Sequence, residues 1–211
     1  MTDPAQENRL KTLLPPRLHN LLPVLLSHGQ LATIEANQEI LREGQYVKAV
    51  PILLTGLVKV LSRGDARDLL LYYIAPGESC IMSFMHGLHQ RPSSVYAITE
   101  EKSEVLLIPT IVLEDLVRDS PELNRLFHDL GNQRYLDLLS TINQVFFEDL
   151  EQRLLDHLTR LSELKSTKTL TIRHQQIAED LGTAREVVSR TLKKLEARKL
   201  LHLEKSQVIL A

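Results

Sequence analysis

The chain has 211 residues, 43% of them hydrophobic, and a formal net charge of −2 at pH 7. A chain of this length and hydrophobic content can fill one large or two modest globular cores, so we expect it to fold rather than remain disordered. The overall charge excludes a polycation, so any contact with nucleic acid has to come from a local basic surface. Residues 165–205 contain ten Lys and Arg against five Asp and Glu, which indicates such a surface in the C-terminal part.

Cysteine usage and hydropathy narrow the protein class. The single cysteine, Cys80, cannot form an internal disulfide, and it excludes a zinc or iron–sulfur site built from several cysteines of this chain. The N-terminus has no basic segment followed by an apolar one, and apolar runs such as LLLYYI within residues 68–75 are far too short to span a bilayer. We therefore expect a cytoplasmic protein with no membrane contact.

The N-terminal half changes pattern along the chain. The first 35 residues carry leucines at irregular helical spacing broken by prolines, which predicts short helices. From Gln38 to Pro109, short β-type runs follow one another, with glycines at intervals of 8 to 13 residues. Because no segment of helix length separates these runs, they predict an antiparallel sandwich or small barrel rather than alternating strands and helices.

Helical periodicity follows over residues 110–164, with a break at Ser120 and Pro121 that suits a helix start. The helix after the break, up to Phe147, carries two apolar stripes, although Arg134 interrupts the first. One stripe can pack on the β domain and the other on a partner subunit, or both can be buried within one chain, and periodicity leaves both arrangements open. The first stripe is Leu123, Leu126, Leu130, Leu138, Ile142 and Val145, and the second includes Phe127, Tyr135, Leu139 and Phe146.

The C-terminal part has the pattern of a DNA-binding helix pair. A further helix with leucines from 150 to 161 precedes a polar linker and the short strand-like LTI at residues 170–172. A helix from His174 to Leu181, a turn at Gly182 and a basic helix that opens at Thr183 then predict a helix-turn-helix, whose second helix enters the major groove. Weak alternation over residues 202–210 predicts a terminal hairpin, which would form a wing.

The second helix separates into a polar side and an aliphatic side. On the polar side, Arg can donate twice to guanine, Glu can accept from the cytosine amino group, and Ser can do either. Basic residues farther along can meet phosphates. The predicted base-reading residues are Arg185, Glu186, Ser189 and Arg190, the predicted phosphate contacts are Thr183, Lys193, Lys194 and Arg198, and the predicted inward residues are Val187, Val188, Leu192 and Leu195.

The same polar residues also have a structural interpretation. Thr183 and Glu186 have the spacing of a capping box, so the carboxylate can be satisfied by the start of its own helix. Glu186 and Arg190 have the i, i+4 spacing of an ordinary surface ion pair. The preceding helix, the glycine turn and the hairpin, taken together with these residues, favour DNA binding over the structural interpretation.

The segment QQIAEDLGTAREVVSRTLKKLEARKLL resembles the winged helix-turn-helix of the CRP/FNR superfamily of bacterial transcription regulators. The E-x-x-S-R pattern of the FNR side is present as Glu186, Ser189 and Arg190, and Arg185 adds the R-E pair of the CRP side. The segments EGQ, LLTGLVKVL and APGE are similar to the glycine corners of the family's β-roll. The helix over residues 121–147 lies where the family has its dimerisation helix.

The resemblance implies an α+β fold in three parts. Residues 1–118 would form the sensor, an antiparallel β-roll of the cyclic-nucleotide-binding type, a jelly roll, preceded by short helices. Residues 119–147 would form a long dimerisation helix, and residues 148–211 a winged helix-turn-helix domain.

The resemblance also implies a sequence-specific transcription regulator and not an enzyme. A homodimer would bind a near-palindromic operator with half-sites about one helical turn apart, and the sensor would control DNA affinity. Glu186 and Arg190 would read a C·G pair and its neighbour, Ser189 a thymine, and Arg185 a base or a phosphate. RNA polymerase is a further expected partner. The alternative is a ligand-binding module whose C-terminal domain docks a protein instead of DNA.

The ligand of the sensor is harder to predict. In family members that bind a cyclic nucleotide, a glutamate after the PGE-like corner holds the ribose, and an Arg-Ser pair holds the phosphate. Here Met82 falls at the place of the glutamate, and Pro92 separates Arg91 from Ser93, so we expect no cyclic nucleotide. An unidentified small effector or constitutive DNA binding stays open, and the residues of a possible effector pocket are Glu78, Cys80, Met82, Arg91, Ser93 and Ser94.

Metal and redox cofactors find little support in the same stretch. Cys80, His86 and His89 lie within ten residues and suggest a haem or metal ligand set, but the two histidines fit better as polar loop residues. Cys80 fits better as a small buried hydrophobe than as a reactive thiol. An iron–sulfur cluster lacks its cysteines. We therefore expect no resident cofactor.

Overall fold

The computed structural model describes residues 4–14, 16–64, 68–147, 149–205 and 207–211. The chain divides into two compact units, one formed by Met1–Leu61 and Leu71–Asp137, and the other by Ser62–Leu70 and Leu138–Ala211. Within the described ranges, no helix is long and apolar enough to cross a membrane.

The first unit begins with short helical segments, as the proline-broken leucines predict. These are α1 (Pro4–Leu13), a 3-10 helix (Pro16–Leu21) and α2 (Leu22–His28). The prediction of helices over the first 35 residues is wrong at its end, because Gln30–Ile34 forms strand β1. This strand pairs antiparallel with residues 103–107, so a partner about 70 positions away decides its conformation.

The predicted β-type runs form strands in two sheets, which confirms an antiparallel β domain. One sheet has the order β1-β7-β3 and the other the order β2-β6-β4-β5. The β1–β7, β3–β7, β2–β6 and β4–β6 pairs are all antiparallel. The strands after β1 are β2 (Glu39–Leu41), β3 (Ala49–Thr55), β4 (Val58–Ser62), β5 (Leu69–Ile74), β6 (Tyr96–Thr99) and β7 (Ser103–Pro109).

A helix interrupts this β region where a polar loop was expected. The segment Ile81–Leu88 forms α3, with Ile81 and Phe84 buried and the Cys80 sulfur accepting a hydrogen bond from the Ser83 amide at 3.4 Å. The prediction that His86 and His89 are loop residues is therefore wrong for His86, which lies in the last turn of the helix. A sulfur atom in the capping position is a weak signal in a sequence, since oxygen caps are the usual ones.

Two helices complete the first unit and lead out of it. Helix α4 (Thr110–Asp119) ends at Ser120, whose hydroxyl accepts from the Leu123 amide at 3.3 Å and so starts α5 (Pro121–Phe147). This confirms the predicted break. At the N-terminal end of α5, Leu123, Leu126 and Phe127 are buried, and the Phe127 ring stacks on Phe84 with centroids 3.5 Å apart.

Farther along α5 the apolar side chains are exposed. Tyr135, Leu136, Leu138, Leu139 and Ile142 are between 40% and 60% exposed in the single chain. Both predicted arrangements are therefore wrong as stated, because α5 divides along its length and not between the stripes: members of both stripes are buried near its N-terminal end and exposed farther on. The side chains of Val145 and Phe146, which were assigned to the same stripes, lie outside the described residues.

The second unit has the predicted order of helix, strand, helix pair and hairpin. Its three strands form one antiparallel sheet in the order β8-β10-β9. The elements are α6 (Leu150–Leu164), β8 (Thr169–Thr171), α7 (His174–Leu181), α8 (Arg185–Ala197), β9 (Leu201–Glu204) and β10 (Gln207–Leu210). The core between the helices contains Leu154, Leu158, Leu161, Ile177, Val188, Leu192 and Leu195.

The turn between β3 and β4 requires a glycine at position 56. Gly56 has a φ of +91°, and a Cβ added to it would lie 2.7 Å from the Lys102 carbonyl oxygen. Gly44 also has a positive φ, +78°, but a Cβ there would meet nothing within 4 Å. The two glycines thus share a backbone conformation and differ in the space around them.

Alanine at Gly56 is expected to reduce the free energy of unfolding more than alanine at Gly44. A positive φ costs a non-glycine residue about 1 kcal/mol, so we expect that loss for Gly44→Ala. For Gly56→Ala we expect about 3 kcal/mol, because backbone atoms of the neighbouring turn must also move. Urea unfolding at one fixed protein concentration measures both losses. Equal losses would show that the close approach at Gly56 has no energetic weight.

Candidate nucleic-acid interface

The turn between α7 and α8 is closed from the α7 side. Gly182 adopts the left-handed conformation, with φ 63° and ψ 44°, which confirms it as the residue that ends α7. Its amide donates to the Glu179 carbonyl at 3.2 Å, and the Thr183 amide donates to the Ala178 carbonyl at 2.8 Å. This pair of hydrogen bonds is a Schellman motif, which satisfies the free carbonyls at the end of α7.

Helix α8 begins later than predicted and without a side-chain cap. Its first residue is Arg185, its N-cap is Ala184, and the N-cap side chain makes no capping hydrogen bond. The prediction that Thr183 opens this helix is therefore wrong, because Thr183 belongs to the closure of α7. The capping box between Thr183 and Glu186 does not form, so the Glu186 carboxylate is not used by the start of its own helix.

The polar side of α8 is exposed and largely uncommitted. Arg185, Glu186 and Arg190 are exposed. Within the described part of the chain, neither Glu186 nor Arg190 makes a hydrogen bond or an ion pair through its side chain, so the alternative i, i+4 pair is not formed. The opposite side packs inward as predicted, with Val188, Leu192 and Leu195 buried and Val187 half-buried. Thr191 is also buried on that side, which the sequence pattern did not indicate.

Ser189 is the one predicted base-reading residue with intramolecular partners. It is half-buried, and its hydroxyl lies 2.9 Å from the Arg185 carbonyl oxygen. The Nδ1 atom of His174, the first residue of α7, lies 2.9 Å from the same hydroxyl. Burial lowers the pKa of His174 below its usual range, and the positive charge of Arg185 lowers it further. Helical spacing within one element gave no signal for this contact between two helices.

The four residues predicted to contact phosphates differ in whether they already have intramolecular partners. The Lys194 ammonium lies 3.1 Å from one oxygen of Glu151 on α6, and the Arg198 guanidinium lies 3.0 Å from the other. The exposed Lys193 has no such partner among the described residues. Thr183 is half-buried, and its amide is used by α7. One carboxylate, which sequence reasoning missed, therefore holds two of the four predicted residues.

The β-roll of the first unit contains a partly open cavity of about 290 Å³, lined by residues of both its sheets. Of the six residues predicted for an effector pocket, Cys80 is the one that lines it. The lining of the cavity is mainly apolar, with Glu39, Cys80 and Ser83 as the exceptions. The apolar part consists of Ile34, Ile40, Leu41, Ala49, Pro51, Ile74, Ala97, Val105 and Leu107.

The other predicted pocket residues are spread over different environments. Arg91 and Ser94 are exposed, and Met82 is half-buried. Ser93 is buried, but its hydroxyl donates to the Val95 carbonyl at 2.7 Å rather than facing a ligand. Cys80 is buried, as expected for a small hydrophobe. Across the described ranges, no group of three or more His, Cys, Asp or Glu side chains is placed to hold a metal ion.

Glu78, the remaining predicted pocket residue, belongs to a charged cluster on α5. Arg134 donates to Glu78 at 2.8 Å and to Asp137 at 2.7 Å, and its guanidinium lies over the ring of Tyr72, 4.6 Å from the centroid. Arg134 itself is only 9% exposed. The residue that interrupts the apolar stripe of α5 is thus the anchor of this helix on the corner after β5.

Two family models match the chain, one in its N-terminal part and one in its C-terminal part. A model described as the cyclic nucleotide-binding domain matches residues 31–120, and a model described as the Crp-like helix-turn-helix domain matches residues 152–211. Among curated proteins, the CRP-like protein Clp of Xanthomonas campestris pv. campestris (strain B100) is 25% identical over 197 residues, which is 88% of this chain and 85% of that protein.

Solved structures share the fold. The structure of CLP from Xanthomonas campestris, described as a c-di-GMP-responsive global regulator, has a TM-score of 0.79 at 24% identity and covers 90% of this chain and 97% of that chain. A regulator of the crp/fnr family from Eubacterium rectale has a TM-score of 0.77 at 20% identity, over 95% of this chain and 92% of that one. The chain belongs to the CRP/FNR superfamily of transcription regulators, which are not enzymes and combine a cyclic-nucleotide-binding-type domain with a helix-turn-helix DNA-binding domain.

Proposed function

We propose that this protein is a homodimeric regulator that binds a near-palindromic operator through α8, with residues 1–118 as the sensor, 119–147 as the dimerisation helix and 148–211 as the DNA-binding domain. The observation that carries the proposal is the exposed polar side of α8, on which Glu186 and Arg190 have no partner within the described chain. Charged groups held on a packed helix without internal partners are available to a ligand, and base edges offer both donors and acceptors.

Each polar residue of α8 then has a role on the DNA. Arg190 donates twice to a guanine, and Glu186 accepts from the amino group of a cytosine. Ser189 contacts a thymine, and Arg185 contacts a base or a phosphate. Lys193 meets a phosphate directly, whereas Lys194 and Arg198 exchange Glu151 for a phosphate. Thr183 and RNA polymerase stay predicted contacts of the bound dimer.

Arg190→Ala is expected to lower specific affinity by about fivefold to 150-fold for each half-site of the operator, because one bidentate base contact contributes about 1–3 kcal/mol. Its affinity for unrelated duplex is expected to change little. The matched control is Lys193→Ala, which removes a charge from the same helix. It is expected to weaken both kinds of binding and to reduce the salt slope by about one per subunit, so by about two for the dimer.

The assay is fluorescence anisotropy over a series of salt concentrations, with an operator selected from random duplexes by the full chain. A footprint unchanged by Arg190→Ala would contradict base reading by this residue. Binding of a protein with no salt dependence would instead support the alternative, a C-terminal domain that docks a protein partner.

The exposed apolar part of α5 supports the homodimer. Tyr135, Leu138 or Leu139, and Ile142 repeat at steps of three and four residues, which is the spacing of a coiled-coil seam. They are at least 40% exposed in one copy. A contiguous exposed apolar strip of this kind is typical of a protein interface.

Charges placed in this strip are expected to dissociate the dimer. In Leu139→Asp and Ile142→Asp, two-fold symmetry puts two unpaired carboxylates into one apolar interface, so we expect the dimer Kd to rise at least about 100-fold. The control is Ile111→Asp on α4, which is 73% exposed and lies outside the strip. Sedimentation velocity measures the mass. A monomeric wild type, or variants that stay dimeric, would contradict the interface.

The cavity in the β-roll supports an effector other than a cyclic nucleotide. A phosphate group needs cationic side chains or amide donors. The described residues that line the cavity include no Lys or Arg. The relative CLP is described as responsive to c-di-GMP. For this chain we propose that the cavity holds none of the common cyclic nucleotides.

Addition of cyclic AMP, cyclic GMP or c-di-GMP at 1 mM is therefore expected to leave the Tm unchanged. A ligand present at 100 times its Kd would add about 2.7 kcal/mol, which would raise the Tm of a chain of this size by roughly 5–10 °C. ATP at the same concentration controls for ionic strength. A rise in Tm with one cyclic nucleotide alone would overturn the expectation.

A further inference from the structure

We propose that His174 is a positioning residue that fixes the Ser189 hydroxyl as a hydrogen-bond acceptor toward DNA, so that Ser189 rejects guanine. This inference rests on the proposed function, because it concerns the base that Ser189 faces. His174 itself lies at the start of α7, and its role is exerted through Ser189. No base-reading role is assigned to the imidazole.

The geometry consists of three polar atoms in a row. The Ser189 Oγ lies 2.9 Å from the Arg185 carbonyl oxygen one turn earlier in α8, and 2.9 Å from His174 Nδ1. Both distances are those of ordinary hydrogen bonds, so each contact requires one hydrogen atom. The carbonyl oxygen can only accept, and the hydroxyl has a single hydrogen to give.

Counting hydrogens then determines the tautomer of His174. If Nδ1 carried no hydrogen, the one hydroxyl hydrogen would have to serve two acceptors, and one contact at 2.9 Å would place two lone pairs against each other. With the hydrogen on Nδ1, the imidazole donates to Ser189 and the hydroxyl donates to Arg185. This arrangement is the one that satisfies both contacts.

The state of Ser189 follows from this chain of hydrogen bonds. Its hydrogen is held by the Arg185 carbonyl and one lone pair by His174, which leaves a single lone pair and the Cβ methylene for DNA. Ser189 can therefore accept from the amino group of adenine or cytosine, or contact a thymine methyl. Guanine presents only the acceptors N7 and O6 in the major groove, so it finds no donor here.

Neutral His174 favours the same result. Partial burial and the charge of Arg185 disfavour the imidazolium, so the histidine carries one hydrogen under physiological conditions and the contact with Ser189 selects where it lies. A histidine at this place differs from an apolar residue by this single donated hydrogen bond. The inference can accordingly be tested by removing and restoring that donor.

The DNA test uses the full-length dimer and the selected operator, varied to all four bases at one position. That position is identified as the one at which Ser189→Ala flattens the base preference. The wild type is expected to disfavour guanine there. In His174→Ala the imidazole no longer holds Oγ beside the Arg185 carbonyl. The Ser189 side chain can then change rotamer, leave that carbonyl and donate to guanine, so we expect the discrimination to fall by about threefold to tenfold, the weight of one hydrogen bond.

Two controls separate positioning from a general structural effect. His174→Asn carries an amide donor and is expected to restore the rejection of guanine in part. The base preference at the position read by Arg190, and the salt slope on unrelated duplex, are expected to stay as in the wild type for both variants. His174→Ala with an unchanged penalty for guanine would overturn the inference while leaving the proposed function intact.

A second measurement needs no DNA. The nitrogen and carbon chemical shifts of the His174 ring in the labelled wild-type protein report the tautomer, and we expect hydrogen on Nδ1. In Ser189→Ala the preference for this tautomer is expected to be lost. Hydrogen on Nε2 in the wild type would overturn the inference, whether or not an operator can be selected. Failure to select any operator would count against the proposed function and not against the tautomer.

Discussion

The backbone reversal at Gly182 is the constraint on which the candidate nucleic-acid interface depends. Because Gly182 and Thr183 return their amides to the carbonyls of α7, Thr183 is not available to cap α8. Helix α8 starts at Arg185 without a side-chain cap, and the carboxylate of Glu186, which a capping box would have held, has no partner in the part of the chain that the structure describes. The same hydrogen bonds therefore end α7 and set the direction of α8, and they leave the first turn of α8 without a side-chain cap.

In the first unit, a buried charge has the corresponding organising role. Arg134 is removed from water, a position that is costly for a cation unless carboxylates and an aromatic face surround it. Glu78, Asp137 and Tyr72 provide that environment. Because these groups come from the corner after β5, from β5 itself and from α5, loss of any one leaves the guanidinium without a full set of partners. The position of α5 on the β-roll is coupled to this cluster as well as to the stacked rings of Phe84 and Phe127.

Local patterns predicted most of the fold and the outward row of the interface. Alternation and glycine spacing indicate strands, and the 3.6-residue period separates Glu186 and Arg190 from the buried Val188. Features that depend on distant residues were missed. Strand β1 exists because it pairs with β7, and α3 because Cys80 caps it and Phe84 meets Phe127. Likewise, the sequence contains Glu151 and His174 with nothing to indicate that they contact α8, 43 and 15 residues farther along.

The carboxylate of Glu151 partly neutralises the positive charge at the C-terminal end of α8 before any other anion binds there. When a hydrated lysine binds a DNA phosphate, cations condensed on the duplex are released, and the entropy of these cations favours binding. Lys194 and Arg198 start from a different state, with an internal anion already beside them. If a DNA phosphate replaces Glu151 as proposed, the released carboxylate takes up cations from solution, which would cancel part of this entropy gain. On the proposed function, α8 would therefore bind arbitrary duplex more weakly than its number of basic residues indicates, and contacts with the bases would contribute more of the binding free energy.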